Sequence, residues 1–282
     1  MNRTEAKTMI YNTIMVQLDI DAPATPRLTF AWELAQNLEA DLIAFAAAEP
    51  FLVRPADGDG SISAEAMRNQ VEQIEERLKT LKSEFHDLTQ DSNRASWRGT
   101  VGEPTRFLAL YARAADLLVV GPVGHSPKDR LRTIDPGELI LSAGRPVLFA
   151  SDGYRPLTAE NVLVAWKDSR EARRAVVDAM PFLTNARQVL VASIEESDRA
   201  QTRESAADVV RFLMKHGVKA RSQMLEAGGA NIAEALLQVT VETGADLIVS
   251  GGYGHSRLRE WAFGGVTRSL LQDSSINRLI AN

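Results

Sequence analysis

The sequence predicts an α/β fold laid out twice in tandem, each copy a parallel sheet with helices on both faces. Three observations predict it. Short β-rich runs alternate with amphipathic helical runs along the chain, the pattern that builds parallel sheets. The stretch Ala115-Asp116-Leu117-Leu118-Val119-Val120-Gly121-Pro122-Val123-Gly124-His125-Ser126 returns as Ala245 to Ser256 at a constant offset of 130, with Ala, Asp, Leu, Val, both Gly, His and Ser in place. The chain also restarts: Thr13 to Asp19 and Asn161 to Asp168 are each a short β-rich run ending in polar residues.

In the first half, strands are expected at 13–18, 41–48, 95–101 and 117–120, and Pro146 to Ala150 is strand-like. Helical spacing of Leu28, Ala31, Trp32, Ala35 and Leu38 places a helix over 27–38. The Pro, Gly and Asp of 54–63 predict a loop. Met67, Val71, Ile74, Leu78, Leu81, Phe85 and Leu88 alternate in steps of four and three, which fits a helix packed on a sheet better than a coiled coil. Pro104 opens a helix to Ala114, and another is expected over 138–143. The second half repeats the plan, with strands near 162–166, 188–194, 219–225 and 246–250 and helices near 170–180, 201–216, 231–243 and 265–273. The turn chemistry of Ser151-Asp152-Gly153-Tyr154-Arg155-Pro156 puts the boundary there, giving domains at 1–152 and 153–282.

Composition narrows the function. The 282 residues carry a net charge of −5, so nothing draws the chain as a whole to nucleic acid or an anionic membrane, and any anionic ligand is held by local groups. There is no cysteine, which excludes disulfides, zinc–thiolate sites and a cysteine nucleophile. No apolar run approaches the roughly 18–20 residues that span a bilayer, and the first residues lack the apolar core of a signal peptide. A cytoplasmic protein is expected.

The densest functional signal is Gly251-Gly252-Tyr253-Gly254-His255-Ser256, followed after a nine-residue gap from Gly254 by Gly264-Gly265-Val266-Thr267. Ligands of open parallel sheets sit beyond the carboxyl ends of the strands. Glycines there let a backbone turn sharply and a ligand approach closely, and the amides opening a helix form an anion site. The Thr267 hydroxyl adds a donor, and Arg257, Arg259 and Arg268 lie near in sequence. Neither GxGxxG nor GxxxxGK[ST] occurs.

On these residues the chain resembles a tandem universal stress protein. The resemblance is strongest at 161–175 and 245–271. It implies two five-stranded, Rossmann-like parallel-sheet sandwiches of the adenine-nucleotide-binding kind, packed about a pseudo-twofold axis, with further homodimer formation open. ATP-binding members of that family carry Gly-x-x-Gly-x9-Gly-[Ser/Thr]; Gly251, Gly254 and Gly264 match, and Gly265 departs at the Ser/Thr position. Those members place an Asp after the first strand; Asp19 fits in the first half, whereas the second has Lys167 with Asp168 beside it. The implied ligand is ATP or another adenine nucleotide, with or without Mg²⁺, bound in the second domain by Lys167, Asp168, Gly251, Gly252, Gly254, His255, Gly264, Gly265, Val266 and Thr267. In the first half the expected glycines fall on Ile134 and Asp135, and Pro136 removes a donor, so that copy is expected to be vestigial.

Each sharp interpretation has a plain rival. His125 and His255 invite a metal or acid–base role but more simply bond within their loops. Asp19 and Asp21 could take Mg²⁺ or merely face water, and Trp166 and Trp261 could stack on a base or pack. The arginines at 170, 173 and 174 form either a phosphate patch or a solvated helix face. No Ser-His-Asp set or metal motif is present, so at most slow ATP hydrolysis is expected. A regulatory role in stress follows from the resemblance. The alternative is a non-nucleotide interaction scaffold or a binder of a small apolar ligand.

Overall fold

The computed structural model describes residues 10–51, 60–122, 131–194, 199–225, 232–253, 265–272 and 275–282. They form ten strands and nine α-helices in two compact units. The N-terminal unit comprises residues 12–145 with 152–156; the C-terminal unit comprises 157–282 with 146–151 and, at the start of the described chain, 10–11.

The N-terminal unit holds strands β1 (Thr13–Leu18), β2 (Asp41–Ala48), β3 (Ala95–Val101) and β4 (Leu117–Val120). All pair in parallel, in the order β3-β2-β1-β4. β2 and β4 are near-continuous apolar runs because both faces of the sheet are covered. Helices α1 (Thr25–Asn37), α2 (Gly60–Thr89), α3 (Pro104–Tyr111) and α4 (Pro136–Ser142) complete the unit. Ile74, Leu78, Leu81 and Phe85 of α2 are buried, and the helix lies on β2, β3 and α1. Packing on the sheet thus accounts for its heptad-like spacing. Of the loop expected over 54–63, residues 60–63 are instead the first turn of α2, and 54–59 lie outside the described residues.

The C-terminal unit contains β5 (Val147–Phe149), β6 (Asn161–Trp166), β7 (Gln188–Ile194), β8 (Ala220–Leu225), β9 (Leu247–Gly251) and β10 (Asn277–Ala281), ordered β5-β10-β9-β6-β7-β8. Its helices are α5 (Arg170–Asp178), α6 (Met180–Leu183), α7 (Arg199–Lys215), α8 (Ile232–Thr243) and α9 (Gly265–Gln272). Leu163, Leu190, Leu236, Ile248 and Leu270 meet in its core. Two features depart from the sequence expectation. The tail forms a further strand, β10, and β5 pairs with it antiparallel, Leu148 opposite Leu279, so the sheet is mostly rather than wholly parallel. No helix among the described residues is long and apolar enough to cross a membrane.

Candidate functional site

In an open α/β sheet the ligand crevice lies where strand order reverses, beyond the carboxyl ends of the strands. In the N-terminal unit the chain runs β1-β2-β3 outward and returns to place β4 on the other side of β1. The C-terminal unit does the same with β6-β7-β8 and β9. The two crevices therefore lie above the ends of β1 and β4, and of β6 and β9.

Several predicted residues converge on the second crevice. Lys167 and Asp168 follow β6 directly and are exposed; Gly251 ends β9, and Ala165 pairs with Ser250 across the two strands. Asp168 holds Arg173 at 2.7 Å. A Cβ on Gly251 would lie 2.5 Å from the Ala172 backbone nitrogen and 2.7 Å from the Glu171 carbonyl carbon. The glycine thus lets the first turn of α5 cross the strand end, a packing role that needs no ligand. The Gly252 N–H donates to the Ala281 carbonyl at 2.8 Å, and its own carbonyl accepts from Asn282 Nδ2 at 2.8 Å, so this amide is already engaged. Tyr253 then turns the chain with φ +60°, in the left-handed region that non-glycine residues rarely adopt. Gly254, His255 and Gly264 lie outside the described residues, as do Gly124, His125, Arg257, Arg259 and Trp261. Gly265 and Val266 are the first residues of α9, and Thr267 is buried in its first turn.

The far end of α9 is held by an arginine that sequence reasoning missed. Arg278 is fully buried in β10. Its Nη1 donates to the carbonyls of Leu270 (2.9 Å) and Leu271 (3.4 Å), and its Nη2 to that of Ala150 (3.2 Å). The last carbonyls of a helix lack intrahelical donors, and a cation there also suits the helix dipole. Arg278 therefore fixes the helix whose other end borders the glycine loop.

Asp19, the first unit's candidate, is paired. Arg27 of α1 is buried and donates from Nη2 to Asp19 Oδ2 at 2.6 Å. Its Nη1 reaches the Gln17 carbonyl (2.8 Å) and Gln17 Oε1 (2.7 Å), and its Nε reaches the Tyr154 hydroxyl (3.1 Å). Burial opposes the Arg27 charge, but the Asp19 carboxylate and Tyr154 outweigh it, leaving the pKa above the ordinary arginine value. Asp21 is held by Arg132, with Nη2 to Oδ1 at 2.8 Å, and this hydrogen bond keeps its carboxyl below the usual range. Arg77 binds the carbonyl of Ile20 at 2.9 Å. The loop after β1 is thus stitched by arginines, and no group of metal-ligating side chains occurs among the described residues. Asp135 is the N-cap of α4, its carboxylate accepting from the Glu138 N–H at 2.9 Å, beside Pro136.

The other sharp candidates have structural roles. Trp166 is buried and donates from Nε1 to Ser205 Oγ at 2.8 Å. Arg170 pairs with Glu171 and Arg174 with Asp178. The repeated Asp serves the fold: Asp116 accepts from the N–H groups of Asn12 and Thr13, and Asp246 from those of Thr158 and Ala159, so each ties down the segment at the start of β1 or entering β6. A cleft of about 530 Å³ opens between α5 and α7, lined by Trp166, Val176, Val177, Val209 and Phe212 with Asp168.

Comparison with known proteins places this geometry. The model of the universal stress protein family matches residues 158–281. Those residues form a universal stress protein domain. Among solved structures, a universal stress protein from Archaeoglobus fulgidus DSM 4304 is similar over 96% of this chain and 98% of its own, with 15% identity and a TM-score of 0.70. A functionally unknown protein from Pseudomonas aeruginosa PAO1 is similar over 96% of this chain and 92% of its own, with 17% identity and a TM-score of 0.61. At such identities the likeness extends the universal stress protein fold, and the fold alone, along the chain. No curated protein matches the sequence.

Proposed function

We propose that the universal stress protein domain binds an adenine nucleotide, ATP in the first instance, above the ends of β6 and β9, and that this binding serves a regulatory role in the response of the cytoplasm to stress. The observation that carries the proposal is the end of β9: Gly251 closes that strand beside β6 at the strand-order reversal, and α9 opens at Gly265 with Thr267 in its first turn. Phosphates would lie against the backbone of Gly254, Gly264, Gly265 and Val266 with the Thr267 hydroxyl. Lys167 would supply charge, and Asp168, Gly251, Gly252 and His255 would border the ligand. The Gly252 amide, engaged with Ala281, would shape the turn rather than donate to the ligand.

A calorimetric titration with ATP tests this. Wild type binds with a dissociation constant in or below the millimolar range, and Gly264→Asp, which puts a carboxylate among the phosphate donors, does not bind. Absence of heat with wild type, or equal binding by the variant, overturns the assignment.

A second proposal rests on a different observation, the cleft between α5 and α7, where Trp166, Val176, Val177, Val209 and Phe212 share the lining with Asp168, Arg173, Glu204 and Asp208. A small apolar ligand there would make the domain a sensor without a nucleotide. In that case an apolar fluorophore binds, Val209→Trp abolishes its binding, and ATP does not compete.

A further inference from the structure

We propose that Arg27 is a built-in occupant of the N-terminal crevice, and that the third residue of the helix after β1 or β6 decides which crevice accepts a phosphate-bearing ligand. That residue is Arg27 in α1 and Ala172 in α5. The proposal rests on the nucleotide assignment above only for its second half.

The comparison turns on the two glycines that end β4 and β9. A Cβ built on Gly121 would land on the Arg27 guanidinium, whose Nε would be 2.6 Å away. The atoms nearest a Cβ built on Gly251 would be backbone atoms of Glu171 and Ala172, at 2.5–2.9 Å. The place over the strand end is therefore taken by a guanidinium in one unit and by the backbone of the helix itself in the other, where the side chain at the same helix position is a methyl group. Every guanidinium nitrogen of the occupant donates a hydrogen bond. Arg27 has a side-chain exposure of 7% and is distributed over Asp19, Gln17 and Tyr154. Gln17 itself, 1% exposed, donates from Nε2 to Asp19 Oδ1 at 2.9 Å, so the carboxylate is fixed from two sides.

This arrangement excludes a nucleotide in two ways. It fills the space over Gly121, and it pairs the cation internally, so an incoming phosphate would have to displace Asp19 from a buried charge-assisted bond. The nearby start of α4 is engaged as well, by the Asp135 carboxylate. The C-terminal unit lacks each counterpart of the plug: Ala172 replaces Arg27, Lys167 stands where Asp19 does, and Ala165 takes the place of Gln17.

Two experiments on the full chain test the halves separately. In Arg27→Ala, melted without nucleotide, the crevice becomes a guanidinium-shaped cavity facing Asp19. The variant melts several degrees below wild type, and millimolar guanidinium chloride raises its melting temperature progressively, as mass action requires, whereas potassium chloride does not and wild type is unmoved by either. If the variant does not fold alone, it is refolded with and without guanidinium, and recovery only with guanidinium supports the proposal. No guanidinium-specific effect in either format overturns it, whatever ATP does.

In the second experiment the plug is transplanted as Ala172→Arg with Lys167→Asp, and Lys167→Asp alone is the reference. ATP affinity of the double variant falls at least tenfold below that of the reference while the circular dichroism spectrum is kept. Affinity equal to the reference overturns the selecting role. Wild type that binds no ATP refutes the nucleotide assignment, and the guanidinium result still decides the plug.

Discussion

Arg278→Leu lowers the unfolding free energy by about 3 kcal/mol, equivalent to roughly 10 °C in Tm for a unit of this size. The side chain is fully buried and donates to three carbonyls, those of Leu270, Leu271 and Ala150. A buried acceptor that loses its donor costs about 1–3 kcal/mol. Three such losses would exceed the expected figure, but removing a buried cation also relieves its own desolvation, which offsets part of the loss. The variant should also bind ATP more weakly, because α9 loses the anchor at its carboxyl end. Arg278→Lys retains the charge but replaces the planar fork with a single ammonium, and should fall between wild type and Leu. Urea unfolding of the three proteins measures this. A loss below about 1 kcal/mol for Leu would mean that Arg278 does not hold the helix.

Gly251→Ala is expected to cost about 2 kcal/mol, the scale of one methyl forced into a packed interface. Its φ lies outside the left-handed region, so the backbone itself tolerates alanine. The obstacle is the backbone of Glu171 and Ala172, 2.5–2.9 Å from the new Cβ, which no side-chain rotation can relieve. Gly217→Ala is the control: φ there is +82° with nothing within 4 Å, so its cost is conformational only, about 1 kcal/mol. The steric term should therefore win, Gly251→Ala unfolding at lower urea than Gly217→Ala. The reverse order would mean that α5 yields freely, and that Gly251 is free to serve a ligand alone.

These two residues also show what the sequence made legible. Strands such as Leu117–Val120 and Leu247–Gly251 stand out because a run buried on both faces is apolar throughout. β10 escaped because Asn277 and Arg278 interrupt its apolar run, and a buried arginine is indistinguishable in sequence from a solvated one. Arg27 is the same case, since its partner Tyr154 is 127 residues away. The glycine pattern pointed to the end of a strand, and Gly251 does lie at a strand-order reversal. What the pattern could not reveal is that Gly251 also serves helix packing and that the Gly252 amide is already bonded.

One crevice, in the universal stress protein domain, is proposed to take the nucleotide. The most direct measurement is a crystal structure of the full chain grown with ATP. The expected result is nucleotide density above the ends of β6 and β9, its phosphates at the start of α9, with the Arg27 guanidinium still over Gly121. Density over Gly121, density only in the cleft between α5 and α7, or an empty β6–β9 crevice at saturating ATP would contradict it.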